Sequence, residues 1–159
     1  MVLKIFQKGF NYSQDGQGNR LVYHLQGCNM KCRWCANPEG MPAGGAMIRE
    51  KDKSPRLSYE EHPVDEVYEE ILSCKPMFFD GGGVTFSGGE ATMQFDALKE
   101  LLKRLKEAGI HTAIETNGTH ARLEELFPYV DQLIMDCKHW DEGKHLQYTG
   151  VPFSLVYEN

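Results

Sequence analysis

The run Leu21-Val22-Tyr23-His24-Leu25-Gln26-Gly27-Cys28-Asn29-Met30-Lys31-Cys32-Arg33-Trp34-Cys35-Ala36-Asn37-Pro38 sets a strand-like stretch directly against three cysteines spaced C-x3-C-x2-C. Apolar, β-branched and aromatic residues up to Leu25 predict an extended element, and Gly27 then opens a loop. Such a loop brings Cys28, Cys32 and Cys35 onto one cluster of metal ions. No fourth cysteine lies nearby. Electron-transfer iron–sulfur clusters take four protein thiolates, so three leave one iron open, and an open metal position is what catalysis needs. The residues alone leave two other readings: a zinc site completed by a histidine such as His24, and three unrelated thiols.

Working outward, Val2–Phe6 predicts a short first strand, and Asp15-Gly16-Gln17-Gly18-Asn19 is a turn cluster feeding the strand at Arg20–Leu25. Residues 38–56, with Gly40, Gly44 and Gly45, read as a long functional or mobile loop or as a plain surface connection. Val64, Val67, Ile71 and Leu72 recur at helical spacing, with Pro63 suited to the first turn. Val84–Ser87 is a buried-type strand between glycines. Phe95, Leu98, Leu101, Leu102 and Leu105 form a second amphipathic stripe closed by Gly109. Strands at His111–Thr116 and Gln132–Asp136, a short helix including Leu123–Phe127 and a weak one at Trp140–Tyr148 complete the pattern. Strands alternating with helices predict an α/β fold with a parallel sheet or barrel segment. In such folds the loops after the strands' C-terminal ends carry the site.

The chain has 159 residues and a net charge of −6, which suits one domain and argues against nucleic acid or an anionic membrane as partner. No apolar run approaches the roughly 20 residues of a membrane span, and no export signal is visible. Five cysteines, three of them clustered, fit a metal site in a reducing compartment, so the expected location is cytoplasmic. Cys74 and Cys137 are expected to be buried small residues or bystanders.

Three further strings fall at the ends of predicted strands. Gly81-Gly82-Gly83-Val84-Thr85-Phe86-Ser87-Gly88-Gly89-Glu90 brackets a strand with glycines, which lets a ligand approach the backbone or simply makes a tight strand-to-helix turn. Neither phosphate-loop pattern is present in it. Glu115-Thr116-Asn117-Gly118 is by itself an ordinary turn. In Met135-Asp136-Cys137-Lys138-His139 alternation puts Asp136 and Lys138 on one side of an extended backbone, as site residues or as a solvated ion pair.

Taken together, C-x3-C-x2-C, the Gly88-Gly89-Glu90 string, Glu115–Gly118, Asp136-x-Lys138, Asp15-Gly16-Gln17-Gly18-Asn19-Arg20 and Tyr148-Thr149-Gly150-Val151 resemble the radical S-adenosylmethionine (SAM) enzymes. More specifically, they resemble the activating enzymes of glycyl radical enzymes, of the pyruvate formate-lyase type, from about Asp15 to the last residue. The resemblance implies a partial (β/α) barrel of about four β/α units, with residues 1–159 forming one radical SAM core domain that ends short of the family's full barrel. It implies a [4Fe-4S] cluster on Cys28, Cys32 and Cys35, and a SAM pocket. That pocket comprises Trp34, Cys35 and Ala36, then Gly88, Gly89 and Glu90, Thr116 and Asn117, and Asp136, Cys137 (through its backbone) and Lys138. Trp34 would meet the adenine; simple core packing is its alternative. Asp15 would lie near the incoming glycine loop, with a plain turn acid as its alternative.

The activity implied is anaerobic: reductive cleavage of SAM, then a glycyl radical on a partner enzyme, with flavodoxin or ferredoxin as electron donor. No side chain is implied as an acid–base catalyst. Gln17 stands where the family has proline. Only Cys74 lies between the cysteine loop and the Gly-rich strand, so no second cysteine-ligated cluster is expected there. Radical SAM chemistry on a small molecule, and a non-catalytic iron–sulfur or zinc module, are the alternatives.

Overall fold

The computed structural model describes every residue except 50 and 52, so part of the long loop expected at 38–56 lies outside the described residues. The first strand, β1 (Val2–Tyr12), runs well past Phe6 and pairs antiparallel with β2 (Asn19–Leu25) through the Asp15 turn. The long connection that follows carries a single 3₁₀ turn at Pro38–Gly40 and a minimal hairpin, β3 (Met47–Ile48) with β4 (Arg56–Leu57). Then come β5 (Glu60–Pro63), α1 (Val64–Ser73), β6 (Gly83–Gly88), α2 (Phe95–Glu107), β7 (Thr112–Thr116) and β8 (Gln132–Met135). Two short helices follow, α3 (Glu142–Thr149) and α4 (Phe153–Glu158).

The main sheet has the order β5-β1-β2-β6-β7-β8. From β2 to β8 it is parallel, as the alternation predicts, whereas β1 is antiparallel to both its neighbours. Between β7 and β8 the expected short helix is a 3₁₀ helix, Leu123–Tyr129, and Pro128 has no amide to donate to its last turn.

One face of the sheet is apolar because side chains alternate. Leu21, Tyr23, Leu25, Val84, Phe86 and Ile114 bury against Val67 and Ile71 of α1 and Leu98, Leu101, Leu102 and Leu105 of α2. The other face carries Arg20, His24, Thr85, Ser87 and Glu115 at the intervening positions, beside Val22 and Ala113, so it is largely polar yet mostly buried.

Two of the glycines read from sequence as openings for a ligand are set against backbone instead. A Cβ on Gly82 would lie 1.9 Å from the Asn19 carbonyl oxygen, and one on Gly83 would lie 2.0 Å from that of His111. Gly82→Ala must therefore push apart the starts of β2 and β6. We expect a cost of about 2–3 kcal/mol and a melting point lower by roughly 5–10 °C. A thermal melt matching the parent's would refute this account of the glycine.

Two acidic groups tie helices to the sheet. Burial would raise the Glu70 carboxyl, but Lys8 and the Tyr23 hydroxyl hold it below its ordinary 4.5; burial would raise Asp131, but Lys106 and the Thr112 amide hold it below 3.8. A carboxyl depressed by folding stabilises the fold above its unfolded value, and that stability is lost as pH falls through the folded value. The melting point should thus stay level down to about pH 5 and fall below it. Glu70→Gln and Asp131→Asn together should flatten the fall; an unchanged acid limb would reject the assignment.

Candidate functional site

The C-terminal ends of β2, β6, β7 and β8 converge on one cleft. Its walls include Cys28, Cys32, Trp34, Cys35, Ala36, Gly88, Gly89, Glu90, Thr116, Asn117, Asp136 and Lys138. Every residue expected at the cluster or the SAM pocket lines it, save Cys137. That thiol is exposed and Cys74 is half-buried against the core, so of the two readings offered for them the buried one fails for Cys137, and neither thiol lines the cleft. On a strand end, the residue between Asp136 and Lys138 must point away from them. Met30, Asn37, Met41, Ser87 and Glu115 also line the cleft, though sequence reading assigned them no role.

The cysteine loop has no helix or strand of its own and is pinned from outside. Gly27 N–H donates to the Gly40 carbonyl (2.7 Å) and Cys28 N–H to that of Met41 (2.9 Å). The Gly27 carbonyl accepts from Glu90 N–H at 2.7 Å. The Asn29 side chain donates to Thr119 Oγ1 (2.7 Å) and accepts from Asn117 Nδ2 (2.9 Å). Gly89 is needed at this junction. A Cβ there would lie 2.4 Å from the Gly27 carbonyl oxygen and 2.5 Å from that of Gly40, so the loop rests on it.

Burial pushes the Cys28 thiol up to about 11, and burial also raises Cys32, with Lys138 opposing. A metal binding here must therefore displace protons. Among the described residues no three His, Cys, Asp or Glu side chains close around a single point as one ion requires. Zinc gathers its sulfurs at about 2.3 Å around one centre, whereas a four-iron cluster takes each thiolate on a different iron. His24 is not in the cleft wall, and its Nδ1 is buried without a partner. With His24 outside the cleft wall the zinc site that it would complete is not formed there, and the three thiols are soft donors of the kind an iron–sulfur cluster takes.

Glu90 is the best-connected side chain of the site. It is 2% exposed, and its carboxylate accepts from Thr92 N–H (3.0 Å), Thr92 Oγ1 (2.5 Å), Thr116 Oγ1 (2.7 Å) and Asn117 N–H (2.6 Å). Three of these donors converge on Oε1 and one on Oε2, so one acceptor position of Oε2 stays open towards the cleft wall. The Asn117 side chain is equally engaged, accepting from Thr119 N–H and Oγ1 while donating to Asn29. Both side chains bind the loop and strand ends to one another.

Lys138 Nζ lies 2.7 Å from Asp136 Oδ2, so the two form an ion pair within the cleft wall. Burial alone would lower the Lys138 ammonium; Asp136, with Cys32 and Cys28 beyond it, raises it instead. Trp34 is 52% exposed and meets Tyr148 edge-on at 5.8 Å, which is not core packing.

Asp15 does not line the cleft but lies behind Glu115, which does. Burial raises the Glu115 carboxyl; a 2.5 Å hydrogen bond from the Ser87 hydroxyl opposes this, and the nearby Asp15 adds to it. The Asp15 turn is itself fixed by the fully buried Arg20. Its Nε donates to Thr85 Oγ1 (2.7 Å), its Nη1 to the Gln17 carbonyl (3.1 Å), and Thr85 Oγ1 donates to the Asp15 carbonyl (2.7 Å). Strand alternation could have found Ser87 and Glu115, since both stand on the polar face of neighbouring strands.

Comparison with known proteins agrees with this geometry. The family model described as the Radical SAM superfamily matches residues 22–156. Pyruvate formate-lyase-activating enzymes of Staphylococcus aureus, strains USA300 and NCTC 8325 among them, are 40% identical over 147 residues, covering 87% of this chain and 54% of theirs. The chain thus spans about half the length of these curated relatives. Among solved structures, QueE from Escherichia coli superposes with a TM-score of 0.59 at 19% identity, over 88% of this chain and 62% of that one. TYW1 with a bound lysine–pyruvate adduct gives 0.50 at 16% identity, over 87% of this chain and 48% of that one. At such identities the likeness is one of fold.

Proposed function

The chain belongs to the radical SAM superfamily, and from that premise we propose that it activates a glycyl radical enzyme of the pyruvate formate-lyase type. The observation that carries this reading is the convergence of all three C-x3-C-x2-C thiols with the ends of four consecutive parallel strands in one cleft. The 40% identity to pyruvate formate-lyase-activating enzymes supports the choice of substrate class. So does the Asp15 turn beside Glu115, where an incoming peptide backbone would find acceptors.

In this reading Cys28, Cys32 and Cys35 hold a [4Fe-4S] cluster. When bound, that cluster supplies the electron that cleaves SAM to methionine and a 5′-deoxyadenosyl radical, which takes a hydrogen atom from a glycine Cα of the partner. The chain's own residues bind and orient. The backbone at Ser87–Gly89 and the Asp136–Lys138 pair offer polar contacts to the methionine end, and Trp34 offers a face to the adenine. Met30 and Met41 keep water from the thiol side. A one-electron carrier, flavodoxin or ferredoxin, would reduce the cluster. Among the described residues no helix is long and apolar enough to cross a membrane.

The test is anaerobic reconstitution with iron and sulfide, reduction with SAM, and chromatography for 5′-deoxyadenosine. Pyruvate formate-lyase is then added, and its glycyl radical is sought by electron paramagnetic resonance. Deoxyadenosine together with that radical is the expected result. Deoxyadenosine without a radical would reject the proposed partner, and no deoxyadenosine would reject the activity.

A further inference from the structure

The end of α3 touches the cysteine loop in a way that the binding reading above leaves unused. A helix leaves its last four carbonyls without partners inside the helix. Here the chain turns away at Gly150 in the left-handed region (φ 81°), and two of those carbonyls face the loop. Lys31 N–H donates to the Thr149 carbonyl at 2.7 Å, and Arg33 N–H to the Tyr148 carbonyl at 3.2 Å. These amides flank Cys32. Between the loop and α4, Met30 is buried with Val151 and Val156, against Cys28 and Cys32. Above it the Arg33 guanidinium lies over the Tyr148 ring at 5.4 Å.

The turn that aims these carbonyls is locked from behind by buried polar contacts. His145 Nδ1 lies 2.6 Å from the Val151 carbonyl oxygen, an acceptor, so that nitrogen carries the proton. Thr149 Oγ1 donates to the His145 carbonyl at 2.8 Å and accepts from Val151 N–H at 3.2 Å. His145 and Thr149 are both fully buried.

The destinations of the loop amides give this contact a chemical meaning. Gly27 and Cys28 donate to Gly40 and Met41, Cys35 to the Cys32 carbonyl, and Lys31 and Arg33 to α3. Met30 N–H donates to sulfur, to Cys28 Sγ at 3.4 Å, and the Cys32 amide to its own thiol, whereas the Lys31 and Arg33 amides are turned to α3. Amide hydrogen bonds to cluster sulfurs raise a cluster's reduction potential, and the carbonyl end of a helix is its negative end.

We propose that the Tyr148–Val151 turn is a positioning clamp for the cysteine loop: it takes the two amides that flank Cys32 and so fixes that thiol and keeps those two donors from the cluster sulfurs. Thr149 and His145 are positioning residues for the clamp. The part concerning potential rests on the reading that Cys28, Cys32 and Cys35 hold an iron–sulfur cluster; the clamp itself does not.

Hydrogen exchange on the unmodified chain tests the contact directly. The Lys31 and Arg33 amides should be protected together with the last turn of α3. Thr149→Val, which keeps shape and loses the hydroxyl, should speed exchange at those two amides, and alkylation of Cys32 in the metal-free chain, by roughly three- to tenfold. Thr149→Ser should restore both. In the reconstituted protein the cluster midpoint potential should rise in Thr149→Val and return in Thr149→Ser.

Unprotected Lys31 and Arg33 amides in the parent would overturn the clamp even if the variant failed to fold. So would a folded Thr149→Val with parent-like exchange. Loosened amides with an unchanged potential would overturn the electrostatic part. Exchange and alkylation are read without SAM, so their outcome stands apart from whether the chain cleaves it.

Discussion

Cys32→Ala should leave the reconstituted protein without a stable iron–sulfur cluster and lower 5′-deoxyadenosine formation by more than about 100-fold. Losing a mere hydrogen-bond partner of a metal ligand costs 10–100-fold, and a lost ligand costs more. Cys32 is the middle thiol, and its neighbours on both sides are tied to α3. Its removal leaves two thiolates for a cluster that already lacks a fourth, and the structure offers no substitute. Cys137 is exposed and outside the cleft wall, and Cys74 sits at the end of α1 beside Ser73. Cys74→Ala should accordingly keep its iron and its activity. Iron and sulfide analysis with the visible spectrum decides the matter. A Cys32→Ala protein that keeps parent-like iron would remove Cys32 from the ligand set.

Glu90→Gln should destabilise the fold by about 2–4 kcal/mol, a melting point lower by roughly 5–15 °C. The amide has one acceptor oxygen where the carboxylate has two, and it turns its –NH₂ towards groups that are themselves donors. All four donors would lose a charged partner, and with the amide oxygen at the Oε1 position Asn117 N–H would face the –NH₂ inside a buried site. SAM affinity should fall with it, because Thr116, Asn117 and the Gly89 junction depend on the same carboxylate. Thr116→Val and Thr92→Val together distinguish this from direct contact with SAM. Thr116 lines the cleft itself, so its variant is read beside Thr92→Val, whose side chain holds the same carboxylate from outside the cleft wall. Weakened SAM binding in both marks Glu90 as a support, and parent-like affinity in Thr92→Val would reject that role. Urea unfolding and calorimetric titration supply both readouts.

The parts of this fold that a sequence shows are those with a period or a fixed residue type. The α1 and α2 stripes read correctly because Val67, Ile71, Leu98 and Leu105 repeat at helical spacing against one apolar sheet face. The strand ends read correctly because glycines and cysteines mark them. The latter half of β1 did not, since Gln7-Lys8-Gly9 interrupts the apolar pattern and the aromatics beyond it, Phe10 and Tyr12, stand exposed; pairing with β2 makes it a strand.

The role of Glu90 was legible as a position but not as a contact. Thr92 is a local partner, but the other two donors come from the end of β7, 26 and 27 residues away, and no local pattern records them. Arg20 showed in the Asp15 string, but nothing in that string says that a guanidinium is fully buried with Thr85, Gln17 and Val84 as its partners. The tying of the cysteine loop to α3 runs backbone to backbone, so side-chain identity cannot report it.

The outside pinning of the cysteine loop also sets an order of events in time. Asn29 finds its partners 88 and 90 residues along the chain, and Lys31 and Arg33 find theirs in α3. Closing such spans costs entropy before any contact repays it, and parallel pairing across them is slow. During that interval the thiols stand on a mobile chain that binds soft metals without selecting a geometry. Iron supplied after the parallel strands have paired meets one arrangement of three sulfurs; iron supplied before meets many.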